Sequence, residues 1–68
     1  MSDDILQHRD AGVLTLTFNR PDKKNSITAA MYAELAEAFD AAAADATVRV
    51  LVLQGQPQVF SAGNDIAD

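Results

Sequence analysis

Two short segments near the N-terminus have the pattern of paired strands. Residues 14–18 alternate leucine or phenylalanine with threonine, and this period of two predicts a strand with one buried face. A second segment at 5–9 precedes it, and Asp10-Ala11-Gly12 between them offers glycine for a left-handed turn position. We therefore expect a β-hairpin of strands 5–9 and 13–19. Pro21 would end the second strand, because proline has no N–H to donate to a ladder.

Apolar residues then recur with the period of a helix. Their spacing of i, i+4, i+7, i+8 and i+11 puts them on one stripe of an amphipathic helix. The members of this stripe are Met31, Leu35, Ala38, Phe39 and Ala42. Thr28 can accept a hydrogen bond as the N-cap, so we expect a helix that runs from there to about Ala44. The acidic residues of this segment lie largely off the stripe and indicate a solvated face.

Residues 48–53 are apolar at every position except Arg49. Such a run is typical of a parallel strand that is covered on both faces. Strand, helix and strand would form a right-handed βαβ unit, so the predicted fold class is α/β, an N-terminal hairpin followed by βαβ. One helix covers only one face, and we expect missing chain, another subunit or self-association to cover the other. Residues 64–68 resemble a helix stopped within its first turn, which favours missing chain.

Composition excludes several kinds of site. The 68 residues include no cysteine and a single histidine, His8, so neither a disulfide framework nor a zinc site is expected. Ten acidic and five basic residues give a net charge of −5, which argues against a nucleic-acid surface. No stretch approaches the roughly 20 apolar residues of a membrane span, and the acidic N-terminus is unlike a basic leader. We expect a cytoplasmic protein without membrane, metal or nucleic-acid partners.

The turn after the third strand is the main candidate for chemistry. Residues 59–66 read Val-Phe-Ser-Ala-Gly-Asn-Asp-Ile. Small side chains at 61–63 keep bulk away from the peptide groups, and Gly63 permits a positive φ. Asn64 and Asp65 are residue types that favour the position before a helix. A strand, a tight turn and a helix start together predict an anion site built from backbone N–H groups.

Five segments, taken in order and spacing, resemble the start of a crotonase, a member of the enoyl-CoA hydratase/isomerase superfamily. They are Leu-Thr-Leu-Thr-Phe-Asn-Arg-Pro at 14–21, Asn-Ser-Ile at 25–27, Asp45 with Val-Arg-Val at 48–50, Val-Leu-Gln-Gly at 52–55 and Phe-Ser-Ala-Gly-Asn-Asp-Ile at 60–66. The resemblance implies a crotonase-like spiral of βα turns, of the ClpP/crotonase type, with residues 1–68 as an N-terminal piece of one incomplete domain. It also implies a homo-oligomer, a trimer or hexamer.

The resemblance assigns roles to the turn. Acyl-CoA thioesters bind in this family, and two backbone N–H groups hold the thioester oxygen as it becomes an enolate anion. The first donor corresponds to the N–H of Asn64. The Ala62 carbonyl, beside Gly63 in the same turn, would face the adenine amino group of CoA, while Asp65 and Ile66 would shape the mouth of the acyl pocket. CoA belongs to the substrate, and no further cofactor is expected.

Three of the five basic residues, Arg20, Lys23 and Lys24, lie within one loop. Composition alone favours a solvated turn, whereas the resemblance places this loop beside the CoA nucleotide, where Lys24 could meet the phosphates. Arg20 and Asn25 match the family pattern, and a structural role in fixing the loop explains them equally well. His8 is expected to be a surface strand residue.

The general acid and base of crotonases correspond to positions beyond Asp68, and none of the acidic residues here matches them. We therefore expect the 68 residues alone to be inactive, and the sequence does not separate a hydratase from an isomerase or from an enzyme of another crotonase reaction. The alternative is a non-catalytic module that binds CoA or associates with itself. A Rossmann-type nucleotide site is disfavoured, because no Gly-x-Gly-x-x-Gly follows either strand.

Overall fold

The computed structural model describes residues 3–68, so the first two residues of the predicted 1–68 domain, part of its acidic N-terminus, lie outside the described part. The elements in chain order are β1 (Ile5–Asp10), β2 (Val13–Phe18), a 3-10 turn (Pro21–Lys23), α1 (Ala29–Ala43) and β3 (Val50–Gln54). β1 pairs with β2 antiparallel, and β2 pairs with β3 parallel, in the order β1-β2-β3. The predicted hairpin and the predicted strand-helix-strand unit are both confirmed.

The hairpin turn explains how the first two strands meet. Ala11 and Gly12 both have positive φ, at 50° and 84°, as a two-residue turn matched to the twist of an antiparallel pair requires. The Gly12 carbonyl accepts from the N–H groups of Arg49 and Val50 at 2.8 and 3.2 Å. The turn therefore also fixes where β3 begins.

The core lies between α1 and one face of the sheet. Its buried members are Ile5, Leu14, Leu16, Phe18, Met31, Leu35 and Ala38. The alternation in β2 and the helical stripe both contribute to this cluster, as predicted. Thr28 is the N-cap of α1, and its Oγ1 accepts from the Met31 N–H at 3.2 Å.

Phe39 was predicted to belong to the buried stripe, and that prediction is wrong. Its side chain is 42% exposed. Successive helix residues are rotated by about 100°, so Phe39 lies well to one side of its buried neighbour Ala38. No part of the described chain reaches round the helix to cover it.

The third strand also differs from its prediction. It begins at Val50 instead of residue 48, because the Val48 N–H donates to the Asp45 carbonyl at 3.0 Å within the turn after α1. Val50 and Val52 pair in register with Val13 and Thr15, so they share the sheet face opposite α1. They are 52% and 38% exposed. β3 is an edge strand of the described chain, and its second face is left uncovered by the single helix, as expected.

Candidate functional site

Two loops run side by side to form the turn region. The Ala62 N–H donates to the Lys24 carbonyl at 3.0 Å, the Ile27 N–H donates to the Gly63 carbonyl at 2.8 Å, and the Asp65 N–H donates to the Ile27 carbonyl at 2.9 Å. The last two bonds make a parallel bridge between Ile27 and Asn64. Hydrogen bonds to the loop before α1 thus fix the backbone of the turn after β3.

This pairing fixes the direction of the Asn64 N–H. A trans peptide is planar, and its C=O and N–H point in opposite directions. Because the Gly63 carbonyl points at Ile27, the N–H of Asn64, in the same peptide, points away from Ile27. A parallel bridge uses the groups on either side of the bridged residue, which leaves this N–H out of the ladder.

The Asn64 N–H is an unpaired donor at the centre of the turn. It makes no hydrogen bond to any of residues 3–68, whereas the N–H groups of Ala62, Gly63 and Asp65 all have acceptors. Asn64 is exposed. The turn therefore presents one outward backbone donor between neighbours that are held in place.

Gly63 is needed for its backbone conformation and not for lack of space. Its φ is +98°, and a Cβ built there would meet no atom within 4 Å. Its N–H donates to the Ser61 hydroxyl at 3.0 Å, and that hydroxyl donates in turn to the Asn25 carbonyl at 2.8 Å. The small-residue turn predicted from the sequence is thus present, with Ser61 as its internal link.

Asn25 is the buried centre of the pairing between the two loops. It is 0% exposed and adopts a left-handed φ of 55°. Its Oδ1 accepts from the Arg20 N–H at 2.7 Å, and its Nδ2 donates to the Phe60 carbonyl at 3.1 Å. These contacts favour the structural explanation for Asn25, which the sequence left open.

Arg20 and Asp65 join the same two loops through charge. Arg20 Nη1 lies 3.1 Å from Asp65 Oδ2 and donates to the Ser26 carbonyl at 2.8 Å. Asp65 Oδ1 accepts from the Ala67 N–H at 3.0 Å, a contact of the kind that a helix cap makes. The Ala67 N–H and then the Arg20 guanidinium hold the pKa of Asp65 below its usual value. This carboxylate is thus engaged within the protein.

The segment after Asp65 does not extend beyond a first turn within the described residues, as expected. The segment makes one turn, closed by a hydrogen bond from the Asp68 N–H to the Asp65 carbonyl at 3.1 Å. The Asp68 carboxylate accepts from the Ala29 N–H at 2.6 Å, at the first residue of α1. This contact secures the end of the turn to the start of the helix.

Sequence reasoning missed Tyr32 as part of this region. Its hydroxyl donates a hydrogen bond to Asn64 Oδ1. The two residues are 32 positions apart, and Tyr32 follows a buried helix position without any motif of its own. The bridge between Ile27 and Asn64 is what brings them together.

The other predicted site residues lie around the turn. Ala62 is exposed, and its carbonyl accepts no hydrogen bond from residues 3–68. Lys24 is exposed beside it, with a left-handed φ of 54°. Ile66 is 99% exposed and contributes no packing to the described chain. His8 is exposed in β1, as expected.

Other features of the described chain lie apart from this turn. An open cleft of about 420 Å³ lies between β1 and α1 and is lined by Gln7, Glu34, Glu37, Ala38 and Ala41. Within residues 3–68, no three His, Cys, Asp or Glu side chains group as metal ligands. The longest helix described, α1, has 15 residues and is too short to cross a membrane.

Comparison with known proteins connects this geometry to a family. A sequence model described as enoyl-CoA hydratase/isomerase matches residues 8–68. The chain is 44% identical to 1,2-epoxyphenylacetyl-CoA isomerase of Escherichia coli K12, an alignment that covers 100% of the chain and 26% of that protein. The structure of OdaA from Pseudomonas aeruginosa is 48% identical with a TM-score of 0.95, over 98% of this chain and 27% of that one. An enoyl-CoA hydratase structure from Mycobacterium tuberculosis H37Rv is 38% identical with a TM-score of 0.91, over 96% and 29%.

The chain belongs to the enoyl-CoA hydratase/isomerase family, and its α/β fold is that of the N-terminal region of crotonase-fold enzymes. The resemblance found in the sequence is thereby confirmed. The chain spans 26 to 29% of the length of these three relatives. One of them is named an isomerase and another a hydratase, so family membership does not fix the reaction.

Proposed function

We propose that this chain supplies the first oxyanion donor of an enzyme that acts on acyl-CoA thioesters, and that the donor is the backbone N–H of Asn64. The supporting observation is the direction of that N–H. It points away from Ile27 and has no partner among residues 3–68, while the carbonyl of its own peptide is fixed by a 2.8 Å hydrogen bond. A donor that is already oriented costs no reorganisation when charge develops in front of it.

Abstraction of a proton from the α-carbon of a thioester, or addition of a water oxygen to the β-carbon of an enoyl thioester, moves negative charge onto the thioester oxygen. A backbone donor aimed at that oxygen stabilises the enolate more than the neutral carbonyl, and removal of one such donor typically costs a factor of about 10² to 10³ in rate. The hydrogen bond from Ile27 to the Gly63 carbonyl also polarises the shared peptide, which makes Asn64 a stronger donor. Hydration and double-bond isomerisation both pass through such an anion, and the turn serves either reaction.

The acidic residues beside the turn are poor candidates for the proton transfer. Asp65 is held by Arg20 and by the Ala67 N–H, with its pKa lowered. Asp68 is occupied by the Ala29 N–H. We therefore assign the general acid and base to residues outside this chain, and residues 1–68 alone are expected not to catalyse hydration of crotonyl-CoA.

The CoA nucleotide is proposed to lie beside the paired loops. The Ala62 carbonyl has no donor from the described chain, which leaves it available to the adenine amino group. The hydrogen bond between the Ala62 N–H and the Lys24 carbonyl places the exposed Lys24 at the same position, where its ammonium group can meet a phosphate. Lys24→Gln is expected to raise the dissociation constant for CoA and leave that for a pantetheine thioester, which lacks the nucleotide, unchanged.

The test of the oxyanion donor is spectroscopic. A cinnamoyl-CoA with an electron-donating para substituent absorbs at longer wavelength when its carbonyl is polarised. We expect a red shift when it binds the natural full-length polypeptide that carries residues 1–68. Asn64→Pro removes the N–H and should lose most of the shift, whereas Asn64→Ala keeps the N–H and should retain more. Binding without any red shift in the unsubstituted protein would contradict the proposal.

A second candidate, self-association, is favoured by the sheet face opposite α1. Val50 and Val52 on this face are 52% and 38% exposed and lie beside Val13 of β2, and an exposed apolar patch often marks an interface. If the face joins copies of the chain, Val52→Lys should shift the 68-residue chain to a smaller species on a sizing column. Phe39→Lys, which changes an exposed apolar residue on the helix, is the matched control.

A further inference from the structure

The peptide that carries the Asn64 N–H has one remaining freedom. Ile27 holds its carbonyl through a single hydrogen bond of 2.8 Å. The preceding residue, Gly63, has no side chain and a φ of +98°, with no atom within 4 Å of where a Cβ would be. The hydrogen bond from Ile27 sets the direction of the peptide, and a further contact at Asn64 would restrict the small rotations about that bond that Gly63 permits. An oxyanion donor is effective only when its orientation is set before charge develops.

Tyr32 provides an anchor on the other side of this peptide. Its hydroxyl donates to Asn64 Oδ1, while its own N–H donates to the Thr28 carbonyl at 3.1 Å near the start of α1. The adjacent residue Met31 is 0% exposed, so this part of the helix is fixed to the core. The contact therefore restrains the Asn64 side chain relative to α1.

Burial does not explain this tyrosine. Its side chain is 48% exposed and does not belong to the core cluster. Its defining contact within the described chain is the one made by its hydroxyl group. A polar contact at the residue proposed to carry the oxyanion donor suggests a role in the site.

We infer that Tyr32 is a positioning residue for the oxyanion donor: its hydroxyl ties the Asn64 side chain to helix α1 and limits rotation of the Gly63–Asn64 peptide. This inference rests on the proposed function, because it assumes that the Asn64 N–H faces the thioester oxygen. Tyr32 itself does not contact the reacting atoms.

The test compares polarisation with binding in the natural full-length polypeptide. Tyr32→Phe should reduce the red shift of the bound para-substituted cinnamoyl-CoA and lower turnover about tenfold, less than loss of a donor would, with the dissociation constant kept within about twofold. A merely structural role would weaken binding and thermal stability together. Phe39→Leu, on the same helix but away from the turn, controls for a general effect on α1 and should leave the shift unchanged.

A double-mutant cycle isolates the contact itself. Asn64→Ala removes the partner of the Tyr32 hydroxyl and keeps the backbone N–H, so it should reduce the red shift about as much as Tyr32→Phe. The double variant should then be no worse than either single variant. Additive losses, or a full red shift in Tyr32→Phe, would overturn the role of Tyr32 and leave the oxyanion donor standing. Absence of a red shift in the unsubstituted protein would overturn the proposed function and this inference with it.

Discussion

Arg20 Nη1 lies 3.1 Å from Asp65 Oδ2, across 45 positions of the sequence. Both side chains are largely enclosed, at 16% and 19% exposure. The same guanidinium nitrogen also donates to the Ser26 carbonyl. The Arg20 side chain therefore connects the loop before α1 with the turn after β3. That turn sets the direction of the Asn64 N–H.

We expect Arg20→Lys to loosen this connection. The planar guanidinium directs several donors in a fixed geometry, whereas an ammonium on a flexible stem does not reproduce it. The variant should have a lower melting temperature and faster amide hydrogen exchange at Ala62, Gly63 and Asp65, whose N–H groups are hydrogen-bonded. Arg49→Lys is the matched control, because the exposed Arg49 side chain makes no hydrogen bond to residues 3–68. Equal effects of the two changes would show that Arg20 is not a specific connector.

Gly63→Ala should destabilise the chain by about 1–2 kcal/mol, because an L-residue with a Cβ is strained at positive φ. Urea unfolding measures this loss. Space is not limiting at φ +98°, since no atom lies within 4 Å of the added Cβ. Gly63→Asn is therefore expected to cost less than Gly63→Ala, because asparagine tolerates positive φ better than alanine does. A greater loss for the larger asparagine would indicate a steric cause and contradict this account.

Asn25→Ala should cost about 1–3 kcal/mol for each buried polar group that it leaves unpaired. The groups at risk are the Arg20 N–H and the Phe60 carbonyl, which Asn25 bonds at 2.7 and 3.1 Å. Equilibrium unfolding gives the total. Asn25→Gly serves as the comparison, since glycine removes the same contacts but accepts the φ of 55°. If the two variants were equally stable, the left-handed conformation would carry no cost.

The pH dependence of stability should include a contribution from Asp45. Hydrogen bonds from Thr47, and then from Arg9, hold its pKa at about 2, below the usual 3.8. Because the pKa is lower in the folded state than in the unfolded state, the ionised carboxylate stabilises the fold at pH values above about 4. This stabilisation is lost as the pH falls from about 4 through about 2. Acid unfolding of the chain measures it.

Variants around Asp45 separate its two partners. Asp45→Asn should be less sensitive to pH in this window than the unsubstituted chain. Thr47→Val should reduce the pH dependence more than Arg9→Met, because the hydroxyl of Thr47, 2.6 Å from Asp45 Oδ1, is the larger cause of the shift. An unchanged acid profile in Asp45→Asn would contradict the assignment.

Elements with a strong local pattern could be predicted from the sequence. The alternation of 14–18 predicted β2, and the helical spacing with Thr28 predicted α1, because each pattern depends only on which residues face the core. Phe39 was misassigned because the width of a buried stripe depends on how far the partner sheet extends. The exposure of β3 depends likewise on what lies next to it.

The candidate site was only partly visible in the sequence. The Ser-Ala-Gly turn and Asn64 could be identified from small residues and from resemblance to crotonases. The contacts from Tyr32 and Arg20 could not, since they join residues that are 32 and 45 positions apart. The direction of the Asn64 N–H depends on the bridge to Ile27, a tertiary contact without a local sequence signal.

The most direct measurement is a structure of the natural full-length polypeptide with an unreactive acyl-CoA thioester bound. We predict that the Asn64 nitrogen lies about 2.7–3.1 Å from the thioester oxygen, the range for an oxyanion donor, with the Gly63 carbonyl still bonded to Ile27. A thioester oxygen held by other donors, or an Asn64 N–H bonded to the protein itself, would contradict the central claim.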